Sequence, residues 1–127
     1  GAFDAAVKYT AERQQFGEPV SRFQMVQGMI ADMAVKVESS RALLYRSVEA
    51  ASGEDQNKAR GMASMAKLIC SDTAMSVTTD AVQLHGGYGY LTDYPVERMM
   101  RDAKITQIYE GTNQVQRLII AKYVYGQ

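Results

Sequence analysis

Tryptophan is absent from this 127-residue chain, and proline occurs only twice, at Pro19 and Pro95. Because proline interrupts helices, a chain with so little of it can form long ones. The single cysteine, Cys70, excludes a disulfide within the chain, and its helical surroundings predict a small buried side chain. The single histidine, His85, has no cysteine near it, so we expect no metal site.

Charge and hydropathy exclude further classes of function. Lys plus Arg and Asp plus Glu each number 14, so no net charge favours nucleic acid or an anionic membrane surface. No apolar run approaches the ~20 residues of a membrane span, and no signal-peptide pattern opens the chain. The length fits one domain. With one cysteine and no signal-peptide pattern, the expected default is a reducing, intracellular compartment. The chain starts at Gly1 without methionine, already in a helical pattern, which predicts a piece of a longer polypeptide.

Apolar residues recur at helical spacing in five segments, and no strand alternation persists. The segments predict helices over 2–16, 21–52, 57–85, 95–103 and 112–125. Ser21 with Gln24 fits a capping box at the start of the second helix, Gly86 and Gly87 end the third, and Thr112 caps the last.

The two long helices are joined by a short polar turn, so they must lie antiparallel. With the first and last helices they predict an all-α, up-down four-helix bundle, with 95–103 as an extra short helix. The inward stripe of the second helix is expected to include Leu44 and Val48. The eight methionines are read as adaptable core side chains.

The most informative segment is 108–114, Ile-Tyr-Glu-Gly-Thr-Asn-Gln. It places the carboxylate of Glu110 in an apolar, aromatic setting just before a helix. One interpretation is a helix-end acid, which stabilises the N-terminus by ~0.3–1 kcal/mol. The other is a general base, if a bound ligand excludes water from the carboxylate. The pattern alone leaves both open.

Two further places have a structural and a functional interpretation. Arg13, near the end of the first helix, either complements the helix dipole or binds a phosphate beside the flat ring of Phe16. The loop Gly86-Gly87-Tyr88-Gly89 reads as a helix stop and turn, because it follows a helix and lacks the lysine of a P-loop.

Four motifs, in this order, carry a family resemblance. They are Arg-Gln-Gln-Phe-Gly at 13–17, Gln-Leu-His-Gly-Gly-Tyr-Gly at 83–89, Arg-Asp-Ala-Lys-Ile at 101–105 and the segment 108–114. Together they resemble the C-terminal helical domain of the acyl-CoA dehydrogenases, over essentially the whole chain. The resemblance implies an FAD-dependent enzyme that oxidises an acyl-CoA thioester to the trans-2-enoyl-CoA.

The resemblance also implies residue roles. Glu110 matches the base that accepts the Cα proton, and Gly111 matches a substrate-contacting position. Arg101 and Asp102 are interpreted as a structural ion pair. The positions that match FAD contacts are Arg13, Phe16, Gln24, Gln83, Leu84, His85, Gly86, Gly87, Thr112, Asn113 and Gln114. The glutamate at position 110 resembles short-chain, medium-chain, butyryl and glutaryl enzymes.

The family further implies a homodimer or homotetramer built on these bundles, with each flavin held by two chains, and an electron-transfer flavoprotein as acceptor. It implies the cytoplasm in a bacterium or the mitochondrial matrix in a eukaryote. The fragment alone is expected to self-associate and to be inactive. Two alternatives remain: a helical association module without catalysis, and an acyl-CoA oxidase, which uses the same base with oxygen as acceptor.

Overall fold

The computed structural model describes every residue from Gly1 to Gln127 and is built almost wholly from helices. In chain order the elements are α1 (Ala2–Glu12), β1 (Gln14–Gln15), β2 (Glu18–Pro19), a 3-10 helix (Val20–Arg22), α2 (Gln24–Ala51), α3 (Gln56–His85), a second 3-10 helix (Gly86–Tyr90), α4 (Val96–Thr106) and α5 (Asn113–Val124). The prediction of an all-α fold is confirmed. None of the helices has the length and apolar character that crossing a membrane requires.

Helix α3 is the central element of the fold. Helices α2, α1, α4 and α5 all pack against it. Helices α2 and α3 run antiparallel, as the short turn between them predicts, and the Asp55 carboxylate caps α3 by accepting from the Lys58 N–H at 2.9 Å. The helical patterns do not predict that one helix contacts all the others, so this central position is a finding of the structure.

The apolar core lies where α1, α2, α3 and α4 meet. Its buried side chains are Ala6, Met33, Val77, Ala81, Leu84 and Val96. Of the eight methionines, Met33 and Met62 are buried and Met25 is exposed. Away from this cluster the buried residues of α2 are small and polar.

The predicted inward stripe of α2 is wrong in its second half. Leu44 and Val48 are 45% and 56% exposed, whereas Ser40 and Ser47 are buried against α3. The buried positions of α2, Met33, Ser40 and Ser47, repeat every seven residues. At 100° per residue, Leu44 and Val48 are rotated about the helix axis by roughly 40° and 80° from Ser40, which turns them toward solvent. Both serine hydroxyls donate to carbonyls of their own helix, which satisfies them without partners in α3.

The first helix is shorter than predicted, because it ends at Glu12 rather than at residue 16. Residues 14–19 form a two-stranded antiparallel hairpin instead, with Gln15 paired to Glu18. Its two turn residues, Phe16 and Gly17, both have positive φ, at 54° and 86°. That geometry fits a type I′ turn. The hairpin therefore forms in place of the last predicted turn of the helix.

The capping box predicted at Ser21 is also wrong. Ser21 lies inside a 3-10 helix, α2 begins only at Gln24, and its N-cap residue, Phe23, makes no side-chain cap. The other predicted helix ends are close to those observed. Gly86, at φ 60°, ends α3, Pro95 precedes α4, which runs on to Thr106, and the Thr112 hydroxyl caps α5 by accepting from the Val115 N–H at 3.3 Å.

Gly61 brings α3 and α5 into close contact. A Cβ atom at this position would lie 2.3 Å from the Tyr123 ring. Gly28, in α2, is a matched helical glycine whose Cβ would meet nothing within 4 Å.

We predict that Gly61→Ala destabilises the protein and that Gly28→Ala does not. Overpacking of this kind costs about 1–3 kcal/mol, whereas alanine in an open helix position gains about 0.5–1 kcal/mol over glycine. Thermal and urea unfolding of the two variants beside the parent measure the difference. Equal stabilities of the two variants would contradict the contact.

Candidate functional site

A groove of about 600 Å³ lies between the end of α1, the hairpin, the start of α2 and the end of α3. It brings together seven of the residues that the sequence singles out. They are Arg13, Phe16, Gln83, Leu84, His85, Gly86 and Gly87. The two distant motifs at 13–17 and 83–89 therefore form one surface, although some 70 residues separate them in the sequence.

Packed aromatic side chains form the floor of the groove. The His85 ring stacks on Tyr9 with a centroid separation of 4.1 Å, and Tyr94 meets both rings edge-on. His85 is buried, and because a carbonyl oxygen only accepts, its Nδ1 donates to the Ala81 carbonyl at 2.8 Å. Burial raises the pKa of the Tyr9 phenol. Tyr9 and Tyr94 are not among the residues predicted from the sequence, because their contacts form only when α1 and the segment before α4 pack against the end of α3.

Arg13 is the one charged residue that lines the groove. It lies one residue beyond the end of α1, and its guanidinium carbon sits 5.3 Å above the Tyr88 ring centroid. It makes no ion pair, because no carboxylate lies within salt-bridge distance. The cation–π contact orients the guanidinium and leaves its N–H donors unpaired in the chain.

Phe16 projects from the hairpin tip at the rim of the groove, with its side chain 95% exposed. A non-glycine residue at positive φ costs about 1–2 kcal/mol. The ring meets Phe23 edge-on at a centroid separation of 6.2 Å and otherwise presents an apolar face to solvent. Gln24 lies outside the groove lining, and with the capping box absent its side chain makes no hydrogen bond in the chain.

A second group of candidate residues lies in the loop between α4 and α5. Glu110 and Gly111 are consecutive residues at positive φ, 51° and 89°. The Glu110 side chain is exposed, as are Ile108 and Tyr109 beside it, so the apolar enclosure expected from the sequence is absent. The Glu110 carboxylate makes no hydrogen bond and no ion pair with the rest of the chain.

The Asn113 side chain, a predicted cofactor contact, is held within a polar network at the start of α5. It is 4% exposed. Its Nδ2 donates to Ser71 Oγ and to Asp72 Oδ1, both at 2.8 Å, and its Oδ1 accepts from Lys67 Nζ at 2.6 Å. This polar junction of Lys67, Ser71, Asp72 and Asn113 joins the start of α5 to the middle of α3.

A shallow depression of about 390 Å³ is lined by Thr112, Asn113 and Gln114 together with Lys104 and Arg117. The backbone N–H of Gln114 is at the first turn of α5 and has no partner in the chain. Unpaired N–H groups at a helix N-terminus favour oxygen atoms of an anion or hydroxyl group. No residue lines both this depression and the groove.

The ion pair predicted between Arg101 and Asp102 is wrong. Arg101 Nε donates instead to the Glu97 carboxylate at 2.9 Å, because residues four apart share a helix face and consecutive residues do not. Hydrogen bonding to Arg101 holds the pKa of Glu97 below its usual range. Cys70 is half-buried, and burial raises the pKa of its thiol. No cluster of three or more His, Cys, Asp or Glu side chains has the arrangement of a metal site.

The fold and the two separate surfaces define a class of protein. It is a helical domain with two candidate ligand surfaces, each of which is open to solvent. Comparison with known proteins identifies the family. The family model for the acyl-CoA dehydrogenase C-terminal domain matches residues 1–125. The chain therefore belongs to the acyl-CoA dehydrogenase family, as its C-terminal domain.

Individual relatives agree. Cyclohexane-1-carbonyl-CoA dehydrogenase of Geobacter metallireducens is 56% identical over 98% of this chain and 32% of its own length. Butyryl-CoA dehydrogenase from Megasphaera elsdenii is 45% identical with a TM-score of 0.92, over 98% of this chain and 32% of that one. A chain from a structure of the electron transferring flavoprotein of Acidaminococcus fermentans is 52% identical with a TM-score of 0.94, over 99% of this chain and 33% of that one. The chain thus spans about a third of the length of these relatives.

We predict that Asn113→Leu, which keeps the size of the side chain and removes its hydrogen bonds, destabilises the protein by about 1–3 kcal/mol, because Ser71, Asp72 and Lys67 lose their buried partner. Asn57→Leu, at an exposed position of α3, is the control, and its free energy of unfolding should stay within ~0.5 kcal/mol of that of the parent. Urea unfolding measures both. A stability of Asn113→Leu equal to that of the control would refute the structural role of the junction.

Proposed function

We propose that this chain is the C-terminal domain of an FAD-dependent acyl-CoA dehydrogenase that converts an acyl-CoA thioester to the trans-2-enoyl-CoA. The observation that carries the proposal is the groove, in which an unpaired guanidinium lies among aromatic rings. Family membership supports the same conclusion. FAD, when bound, supplies the hydride acceptor, and the rest of the chemistry falls to protein residues.

The groove suits the adenosine diphosphate part of FAD. Arg13 offers a guanidinium whose fork geometry matches phosphate oxygens, and Phe16 offers a flat apolar face against which a purine can stack. Gly86 and Gly87 are exposed and a Cβ at either would meet nothing within 4 Å, so the backbone there is open to a ligand. Gln83, beside them, carries an amide that can pair with a nucleotide edge.

Glu110 is the residue that we propose accepts the proton from Cα of the thioester. A carboxylate without partners in its own chain is free to take a proton, and the loop that carries it has a defined backbone conformation. The α-proton of a thioester is weakly acidic, so the developing negative charge on the carbonyl oxygen must be met by hydrogen-bond donors. Gly111, next to the base, is the residue that we propose contacts the acyl chain.

The separation of the groove from the Glu110 loop supports a shared flavin. One chain offers Arg13 and the Gln83–Gly87 segment on one surface, and Thr112 and Gln114 on another. We infer that a flavin held by Thr112 and Gln114 of one chain extends its adenosine into the groove of a second copy, in a homodimer or homotetramer. Exposed apolar side chains, among them Leu44, Val48, Leu118 and Val124, are available for that assembly.

An electron-transfer flavoprotein is the proposed electron acceptor. The similarity to a chain in the structure of the Acidaminococcus fermentans electron transferring flavoprotein supports this choice. The relatives with cyclohexane-1-carbonyl and butyryl substrates in their names differ in acyl group, so the acyl specificity is not inferred from this domain.

We predict that Glu110→Gln in the full-length enzyme abolishes reduction of the flavin by acyl-CoA while FAD stays bound. Removing a general base costs about 10²–10⁴ in rate, and the amide keeps the size of the side chain. Anaerobic stopped-flow absorbance measures flavin reduction, and the oxidised flavin spectrum measures occupancy. Glu54→Gln, in the exposed turn before α3, is the control. Normal flavin reduction in Glu110→Gln would exclude the proposed base.

We also predict that Arg13→Met weakens FAD binding about 10- to 100-fold, since a charge-assisted hydrogen bond to phosphate contributes about 1.5–3 kcal/mol. Arg22→Met is the matched control, because Arg22 is exposed in the neighbouring 3-10 helix and does not line the groove. Titration of the apoenzyme with FAD measures both affinities. Equal affinities for the two variants would contradict the assignment of the groove.

A further inference from the structure

The loop that carries Glu110 is held by side chains from outside it. Gln116 Nε2 donates to the Glu110 carbonyl oxygen at 3.1 Å and to the Gly111 carbonyl oxygen at 3.3 Å. Lys67 Nζ donates to the same Gly111 carbonyl at 2.9 Å. Two donors, one from α5 and one from α3, therefore fix the two carbonyls at the point where the backbone is left-handed.

These contacts are built into the packing of the domain. The Gln116 side chain is 7% exposed, so its amide has no freedom to turn toward solvent. Lys67 is itself held by Asn113 Oδ1 at 2.6 Å. Gln116 also packs closely against Gly111, since a Cβ at residue 111 would lie 2.9 Å from Gln116 Nε2.

The Glu110 carboxylate, in contrast, makes no hydrogen bond of its own. Only its backbone determines where the side chain starts and which way it points. Without donors on the two carbonyls, Glu110 would relax from φ 51° toward the negative φ that a non-glycine residue prefers. That rotation would redirect the carboxylate.

We propose that Gln116 and Lys67 are positioning residues that hold Glu110 in its left-handed conformation and so aim its carboxylate at the substrate. The inference rests on the proposed role of Glu110 as base. A displacement of about 1 Å in a reacting group costs about 10²-fold in rate. Loss of the hydrogen bonds from Gln116 or Lys67 should therefore lower the rate of proton removal and leave substrate affinity unchanged.

The test uses the full-length enzyme with FAD bound. Gln116→Met keeps the length of the side chain and removes the donor, and Gln116→Glu keeps its shape and offers only acceptors when ionised. For both we expect kcat to fall about 10- to 100-fold with KM for acyl-CoA and flavin content unchanged. The kinetic isotope effect with Cα-deuterated substrate should increase, because proton removal becomes slower than the other steps. Gln56→Met, at the exposed start of α3, should leave all these values unchanged.

Lys67 gives a second test, in which thermal unfolding is measured beside kcat because Lys67 Nζ also donates to Asn113 Oδ1. Lys67→Met should lower kcat, and Lys67→Arg, which restores a donor to the Gly111 carbonyl, should recover most of it. Lys58→Met, an exposed lysine on the same helix, serves as the control. Should Gln116→Met fail to fold, the Lys67 variants decide the question alone.

The outcomes separate this inference from the proposed function. If Glu110→Gln is inactive but the Gln116 and Lys67 variants keep kcat within about twofold of the parent, the positioning role is wrong and the base remains. A loss of activity that follows loss of FAD or of thermal stability, with no change in the isotope effect, also overturns it. If Glu110→Gln itself reduces the flavin normally, the proposed function fails, and this inference fails with it.

Discussion

The buried amide of Asn113 is the interaction on which the C-terminal part of the domain depends. It pairs with Lys67, Ser71 and Asp72 at the middle of α3, and Asp72 also accepts from Gln107 at the end of α4 at 2.6 Å. No buried polar side-chain atom in the chain lacks a partner. Because a half-satisfied buried network is costly, sliding α5 along α3 would break several bonds at once. The junction therefore fixes the register of α5 and of the loop before it.

Helix α3 in turn sets the distance between the two candidate surfaces. At 1.5 Å per residue, Ser71 in the junction and His85 beneath the groove are about 21 Å apart along the helix axis. Both surfaces are attached to this one rigid element, one through the junction and the other through the stacking of His85 on Tyr9. The distance between the two surfaces is therefore set by the length of α3 that separates them. A single chain presents two incomplete surfaces, which fits a ligand shared between chains better than one enclosed within a chain.

Local signals in the sequence predicted most of the helices, whereas contacts between distant segments did not follow from it. Gly86 and Thr112 were correctly predicted as helix ends. A glycine at positive φ and a capping hydroxyl stop or start a helix through contacts with residues only a few positions away in the sequence. The hairpin at Phe16 was missed because its turn geometry competes with a helical pattern of similar strength. The bond from Lys67 to the Gly111 carbonyl spans 44 residues. Lys67 and Ser71 share a face of α3 because they are four residues apart, but nothing in the sequence identifies the partner of that face.

The two candidate surfaces differ in how complete they are within this chain. Stacked rings and a guanidinium ordered by Tyr88 preform the groove, so the nucleotide binding that we propose would require little ordering of the protein. Glu110 is aimed by its backbone but surrounded by solvent. A carboxylate acts as an effective base toward a weak carbon acid only when water is excluded, and the exposed Ile108 and Tyr109 provide apolar surface for that closure. Under the proposed function, the domain would supply a preformed cofactor surface and an oriented base, while the exclusion of water would depend on protein that packs against it.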